Sequence, residues 1–228
     1  MDAPSANVIE TVCGERIADP YRPLENLKDP KVQAWYKREA DHARAVLDAI
    51  PRRSELIAKM VEFDKRRPEK IYNLSITDNN RYFYLKQTPA DETGKLFFRK
   101  GYKGKERLLF DPTTYKDGSD GTFVISQVSP NIDGSKVVIG VSANGSENAI
   151  LFVMDVKNGQ IWPERIDRCR FASPSWLPCG KAFYYTRMNS NDPLDKDRQK
   201  DSRVYLHLVG TDPSTDPEIF SRTHDPEL

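Results

Sequence analysis

No hydrophobic run in these 228 residues approaches the roughly 18 needed for a membrane-spanning helix. The first ten residues carry neither a basic stretch nor an apolar one, so no secretory signal is expected there. Cysteine is scarce: Cys13, Cys169 and Cys179 are odd in number and form no C-x-x-C pair. That excludes a disulfide scaffold and points to reduced thiols, so a cytoplasmic setting is expected. Neither sign of charge dominates, with 35 basic against 34 acidic residues, and no basic stripe stands out. Neither nucleic acid nor an anionic membrane is expected as a partner.

The motifs of common catalysts are also missing. G-x-S-x-G, G-x-x-x-x-G-K-[ST] and G-x-G-x-x-G do not occur. The nearest string to a nucleophile elbow, Gly118-Ser119-Asp120-Gly121, has the wrong spacing and falls in a polar connector. There are three histidines, His42, His207 and His224. His42 falls on a charged helix face, His207 alternates with apolar residues in a strand, and His224 is near the end of the sequence. All three read as solvated or structural, with no serine or cysteine nucleophile beside them. Cys169 and Cys179 lack the further ligands that zinc needs. Asp192, Asp195 and Asp197 crowd one loop without calcium-loop spacing, which favours a solvated acidic loop. No cofactor and no metal are expected.

What is present divides in two. Hydrophobic residues make up 38% and charged residues 30%, a polar balance that suits a loop-rich β protein or faces completed by further chain. Residues 29–67 carry a helical period. Asp29 is placed to cap and Pro30 suits the first helical position, where its missing N–H costs nothing. Val32, Trp35, Tyr36, Ala43, Val46, Leu47 and Ile50 then form one apolar stripe. Pro51 breaks the helix, and a second one carries Ile57, Met60 and Val61. The stripe is expected to cover a larger surface than its neighbouring helix offers.

From residue 71 the helical period gives way to short alternating strands separated by turn residues. The first group covers 71–76, 81–87, 96–100 and 107–110. The second covers 123–128, 136–141, 149–156 and a short strand near 161–166. The third covers 172–176, 182–187, 204–209 and 218–220. The turn before the second strand repeats as Asp78-Asn79-Asn80-Arg81, Asp133-Gly134-Ser135-Lys136 and Pro178-Cys179-Gly180-Lys181. Spacings near fifty residues mark propellers and similar arrays. The almost continuously apolar stretch 149–156 predicts a strand buried on both faces, as in stacked propeller sheets. The fold expected is mainly β. An N-terminal helical segment (1–70) precedes a partial β-propeller (71–228) of about three four-stranded antiparallel blades, near 71–112, 122–166 and 171–221.

The string Asp19-Pro20-Tyr21-Arg22-Pro23-Leu24-Glu25-Asn26 resembles the D-P-Y-R-W-L-E-D signature that opens the prolyl oligopeptidase family of serine peptidases. Pro23 stands where that family usually has tryptophan, and Asn26 where it usually has an acidic residue. Val32-Gln33-Ala34-Trp35, Ser129-Pro130-x-x-Asp133-Gly134 and Ser142-x-x-Gly145-Ser146-Glu147 are similar to it as well, so the resemblance runs from about 15 to 228. It implies a split α/β-hydrolase whose N-terminal helical piece precedes a seven-bladed propeller. It implies proline-containing oligopeptides as substrates, cleaved after proline. The Ser, Asp and His of the catalytic C-terminal hydrolase domain would then lie outside these residues, making that domain a partner and this chain inactive alone. By the same resemblance Phe171, in Arg170-Phe171-Ala172-Ser173-Pro174-Ser175-Trp176, lines the substrate pocket at the start of an innermost strand. Its alternative is a place in the core between blades, where Trp176 is expected. The rival reading of the whole chain is a non-catalytic β-propeller interaction module.

Overall fold

The computed structural model describes residues 2–118, 121–192, 195 and 197–225. Ser119 and Asp120 of the Gly118–Gly121 string lie outside them. The chain divides into two compact units, the first ending at Asp64 and the second starting at Lys65.

The first unit opens with a hairpin, β1 (Ile9–Val12) and β2 (Glu15–Ala18), paired from Ile9↔Ala18 to Val12↔Glu15. Its two-residue turn holds Cys13 and Gly14 at φ 50° and 85°, the backbone that a tight hairpin needs. Helix α1 (Pro30–Asp48) follows, and Asp29 caps it as expected, its carboxylate accepting from the Lys31 N–H at 2.8 Å. Helix α2 spans Arg53–Lys65. Of the apolar stripe only Val32 is buried; Tyr36, Val46, Leu47, Ile50, Ile57, Met60 and Val61 stay exposed. Neither helix is long and apolar enough to cross a membrane.

The second unit is three antiparallel meanders. The first sheet runs β3 (Lys70–Ile76), β4 (Arg81–Gln87), β5 (Lys95–Lys100) and β6 (Arg107–Phe110), hydrogen-bonded in that order. The second runs β7 (Phe123–Pro130), β8 (Lys136–Ala143) and β9 (Ala149–Asp155). The third runs β10 (Ser175–Trp176), β11 (Ala182–Arg187), β12 (Arg203–Leu208) and β13 (Glu218–Phe220). Two expectations need correction. The fourth strand of the second sheet is reduced to isolated bridges, Met154↔Ile161 and Leu151↔Ile166. Pro163 lies between them and has no N–H to offer a ladder. The first strand of the third sheet is only two residues long, because Ser173 takes a left-handed φ of 44° and Pro174 follows it.

The repeat is real at atomic level. Asn80, Gly134 and Gly180 occupy one position in three equivalent turns, at φ 63°, 64° and 62°. Their N–H groups donate to the Thr77, Asn131 and Leu177 carbonyls at 2.9, 2.8 and 2.9 Å. The left-handed residue marks the repeat better than the basic residue that follows, which comes one position later at Arg81 and Lys181 but two later at Lys136. Successive turns also touch: Arg81 donates to the Gly134 carbonyl at 2.8 Å, and a Cβ on Gly180 would come 2.8 Å from Asn131 Nδ2.

Two cores hold the sheets face to face. Between the first and second lie Phe83, Leu96, Phe110, Val137, Ile139 and Phe152, with Tyr115 stacked on Phe152 at 5.5 Å. Between the second and third lie Val138, Leu151, Val153, Cys169, Ala172, Phe183 and Tyr185. The interior of β9 is buried on both faces, as its continuous apolar run predicts.

Candidate substrate-facing wall and its relatives

The segment that carries Phe171 crosses from the second sheet to the third. Left-handed backbone at Arg168 (φ 60°) and Ser173 (φ 44°) bends it at both ends. Backbone bonds pin it between them: the Cys169 N–H donates to Ala149 at 3.2 Å, and the Thr186 N–H to Ala172 at 2.8 Å. Cys169 and Ala172 therefore turn into the core, both fully buried, while Phe171 turns outward with 62% of its surface exposed. Phe171 is thus not core between blades. Nor does it begin a strand; it sits in a turn four residues before β10.

Outside that turn is a concavity of about 510 Å³ lined by Gln127, Ser129, Arg170, Phe171, Ser173 and Pro174. The Arg170 guanidinium lies over the Phe171 ring, 5.0 Å from its centroid, and pairs with Glu147 on the β8–β9 hairpin. The floor is fixed by bonds between sheets. Ser129 Oγ donates to the Pro174 carbonyl at 3.0 Å, and Trp176 Nε1 to the Ser129 carbonyl at 2.9 Å. Trp176 is half-buried against Phe183, at 5.1 Å, as its expected core role requires. The wall offers one exposed aromatic face, a neutralised cation and serine hydroxyls. It can bind an apolar side chain beside a polar backbone, but it contains no paired nucleophile and base.

The histidines lie elsewhere. His42 is exposed on α1. His207 is fully buried: its Nδ1 donates to the Asp216 carboxylate at 2.9 Å, and its Nε2 is 3.8 Å from Glu164 on the second sheet's side. Tyr185 also donates to Asp216, at 2.9 Å. Burial first, then that carboxylate, push the Tyr185 phenol far above its ordinary pKa. Glu164 in turn accepts from the Gly210 N–H at 3.0 Å. His224 Nδ1 lies 3.4 Å from Ser221 Oγ. Yet Ser221 is 3% exposed and gives its proton to Glu218, so the group staples a turn and cannot meet a substrate. Among the described residues no cluster of His, Cys, Asp or Glu is arranged to hold a metal ion.

A family model described as "Prolyl oligopeptidase, N-terminal beta-propeller domain" matches residues 3–228. A prolyl endopeptidase of Elizabethkingia meningoseptica is 27% identical over 92% of this chain and 29% of its own length. Prolyl oligopeptidase A of Galerina marginata is 26% identical over 90% of this chain and 31% of its own. Among solved structures, a prolyl endopeptidase superposes with a TM-score of 0.81 at 33% identity, over 99% of this chain and 33% of that one. Prolyl oligopeptidase B of Galerina marginata, bound to a 35-residue hydrolysis and macrocyclisation substrate, gives a TM-score of 0.73 at 19% identity, over 98% of this chain and 34% of that one. The chain thus spans about a third of the length of these relatives. With helices ahead of repeated sheets and the match running almost end to end, this chain belongs to the prolyl oligopeptidase family, in the part that forms its N-terminal β-propeller domain.

Proposed function

We propose that this chain is the propeller-bearing part of a serine endopeptidase that cleaves oligopeptides after proline in the cytoplasm. Its share is to gate access and, through Phe171, to supply one wall of the peptide pocket. Acyl transfer by a serine activated by histidine would belong to a C-terminal hydrolase domain that completes the enzyme. The observation that carries this reading is the outward turn of Phe171. A 62% exposed phenylalanine, fixed between two buried neighbours and stacked on Arg170, gains nothing for the core and has the face that a proline-containing peptide fills.

The test uses the longest reading frame that continues this chain. Its product is expected to release a chromogenic amine from a prolyl peptide and to be silenced by a serine-reactive inhibitor. Phe171→Ala should then lower kcat/KM roughly fivefold, since an aromatic contact is worth about 1 kcal/mol. Absence of cleavage after proline would favour the non-catalytic module. Cleavage unaffected by Phe171→Ala would remove the residue from the pocket while leaving the enzyme reading intact.

A further inference from the structure

The chain contains two Asn-Gly dipeptides, Asn144-Gly145 and Asn158-Gly159, and their surroundings differ. In an Asn-Gly pair the glycine nitrogen can attack the asparagine side-chain carbonyl carbon, because glycine has no side chain to obstruct the approach. Attack requires a glycine N–H that is free to lose its proton and a peptide group that can rotate.

At Asn158 that nitrogen is occupied. The Gly159 N–H donates to the Asp155 carbonyl at 2.9 Å, and the Asn158 N–H to the Asp155 carboxylate at 3.0 Å. At Asn144 it is not. Among the described residues the Gly145 N–H has no protein acceptor, whereas the space around the two glycines is alike, an added Cβ meeting nothing within 4 Å at either. Both residues are exposed at the tip of the β8–β9 hairpin, and both hold left-handed backbone, at φ 52° and 70°.

We propose that Asn144 is a site of spontaneous deamidation in the folded protein and that Asn158 is protected. Solvent hydroxide takes the Gly145 N–H proton, the nitrogen bonds to Asn144 Cγ, and the Cγ–Nδ2 bond breaks to release ammonia. Water then opens the five-membered imide at either carbonyl, leaving aspartate or isoaspartate; the net change is one water in and one ammonia out. The consequence reaches beyond the hairpin. Asn144 Oδ1 accepts from the Thr122 N–H at 3.0 Å, and the Asn144 N–H donates to the Thr122 carbonyl at 2.8 Å, so this residue fixes the entry to β7. The isoaspartate product carries an extra backbone carbon and breaks that paired anchor. It also places a new carboxylate on the hairpin that holds Glu147, the partner of Arg170.

The experiment holds the full chain, its β8 and β9 amides verified as protected from exchange, in mildly alkaline buffer. Peptide mapping follows both asparagines, and hydroxylamine, which cleaves the imide, reports the same step independently. Asn144 is expected to be consumed roughly tenfold faster than Asn158, the factor imposed by breaking a backbone hydrogen bond and opening its turn before attack. In concentrated urea the two rates should converge. Equal rates in the folded protein, or faster loss of Asn158, would overturn the proposal, as would a difference that persists in urea.

Discussion

Replacing Asp216 with alanine tests the buried polar network that joins two sheets. Its carboxylate, 2% exposed, accepts from His207 Nδ1 at 2.9 Å and from Tyr185 Oη at 2.9 Å. Both donors are walled in by Phe183 and its neighbours, with His207 itself fully buried. Removing the acceptor leaves two donors in apolar surroundings, each at about 1–3 kcal/mol, so Asp216→Ala should cost about 3–5 kcal/mol. Tyr185→Phe removes one bond but leaves Asp216 paired with His207, which should cost about 1 kcal/mol. In the double variant the orphaned phenol no longer exists, so the loss should fall short of the sum by about 1 kcal/mol. Urea unfolding followed by tryptophan fluorescence reads this directly, because Trp162 and Trp176 both pack against the same core. An Asp216→Ala protein within about 0.5 kcal/mol of the parent would refute the reasoning. So would strict additivity of the two substitutions.

Three further outcomes follow from other parts of the molecule. Burial, reinforced by the Glu106 carboxylate, pushes the Tyr84 phenol up to about 12. The neutral phenol is therefore favoured in the native state, and its contribution is complete below the ordinary tyrosine pKa of about 10 and lost as pH rises toward 12. Thermal melts across that range should fall more steeply for the parent than for Tyr84→Phe. Gly180→Ala forces φ +62° on an L-residue and places a Cβ 2.8 Å from Asn131, so a loss of about 1–2 kcal/mol is expected in denaturant titration. Asn80→Gly, at the equivalent turn, should stay within about 0.5 kcal/mol of the parent. A thiol reagent should titrate Cys13 and Cys179, both exposed, in the native protein. Cys169, whose burial drives its thiol pKa up, should react only after unfolding; prompt reaction of all three would place Cys169 wrongly.

Most strands were legible because their signals are local. Arg81–Gln87 and Arg107–Phe110 are short aromatic and aliphatic runs bounded by turn residues, and the structure returns the same bounds. Where local signals misled, a single backbone restriction outweighed side-chain pattern. Ile161 and Ile166 look like the ends of a strand, but Pro163 interrupts the ladder between them. Ala172 looks like a strand start, but Ser173 leaves the extended region. The β1–β2 hairpin gives a weak signal because Cys13-Gly14 replaces the usual Asn-Gly turn and the flanking strands are only four residues long. Long-range placements were out of reach altogether. Nothing near His207 in sequence announces Glu164, which comes from the far side of a sheet boundary. Phe171 was singled out by family resemblance and not by pattern; its outward turn depends on left-handed Arg168 and Ser173, which no periodicity encodes.

The central sheet has a consequence for how this domain tolerates change. Strand β8 sends Val137, Ile139 and Val141 to one core and Val138 to the other, and β9 divides Phe152 and Met154 from Leu151 and Val153 in the same way. The two compartments differ in content: the first collects aromatic rings from β6, β7 and the segment between them, packed largely edge to face, the second fully buried smaller groups such as Cys169 and Ala172. A slip of one residue in β8 or β9 would exchange these sets and present each compartment with the wrong volumes at once. Insertions of a single residue should therefore be excluded from these two strands and confined to the hairpin between them. That hairpin becomes a place where the central sheet can change length without exchanging its two faces.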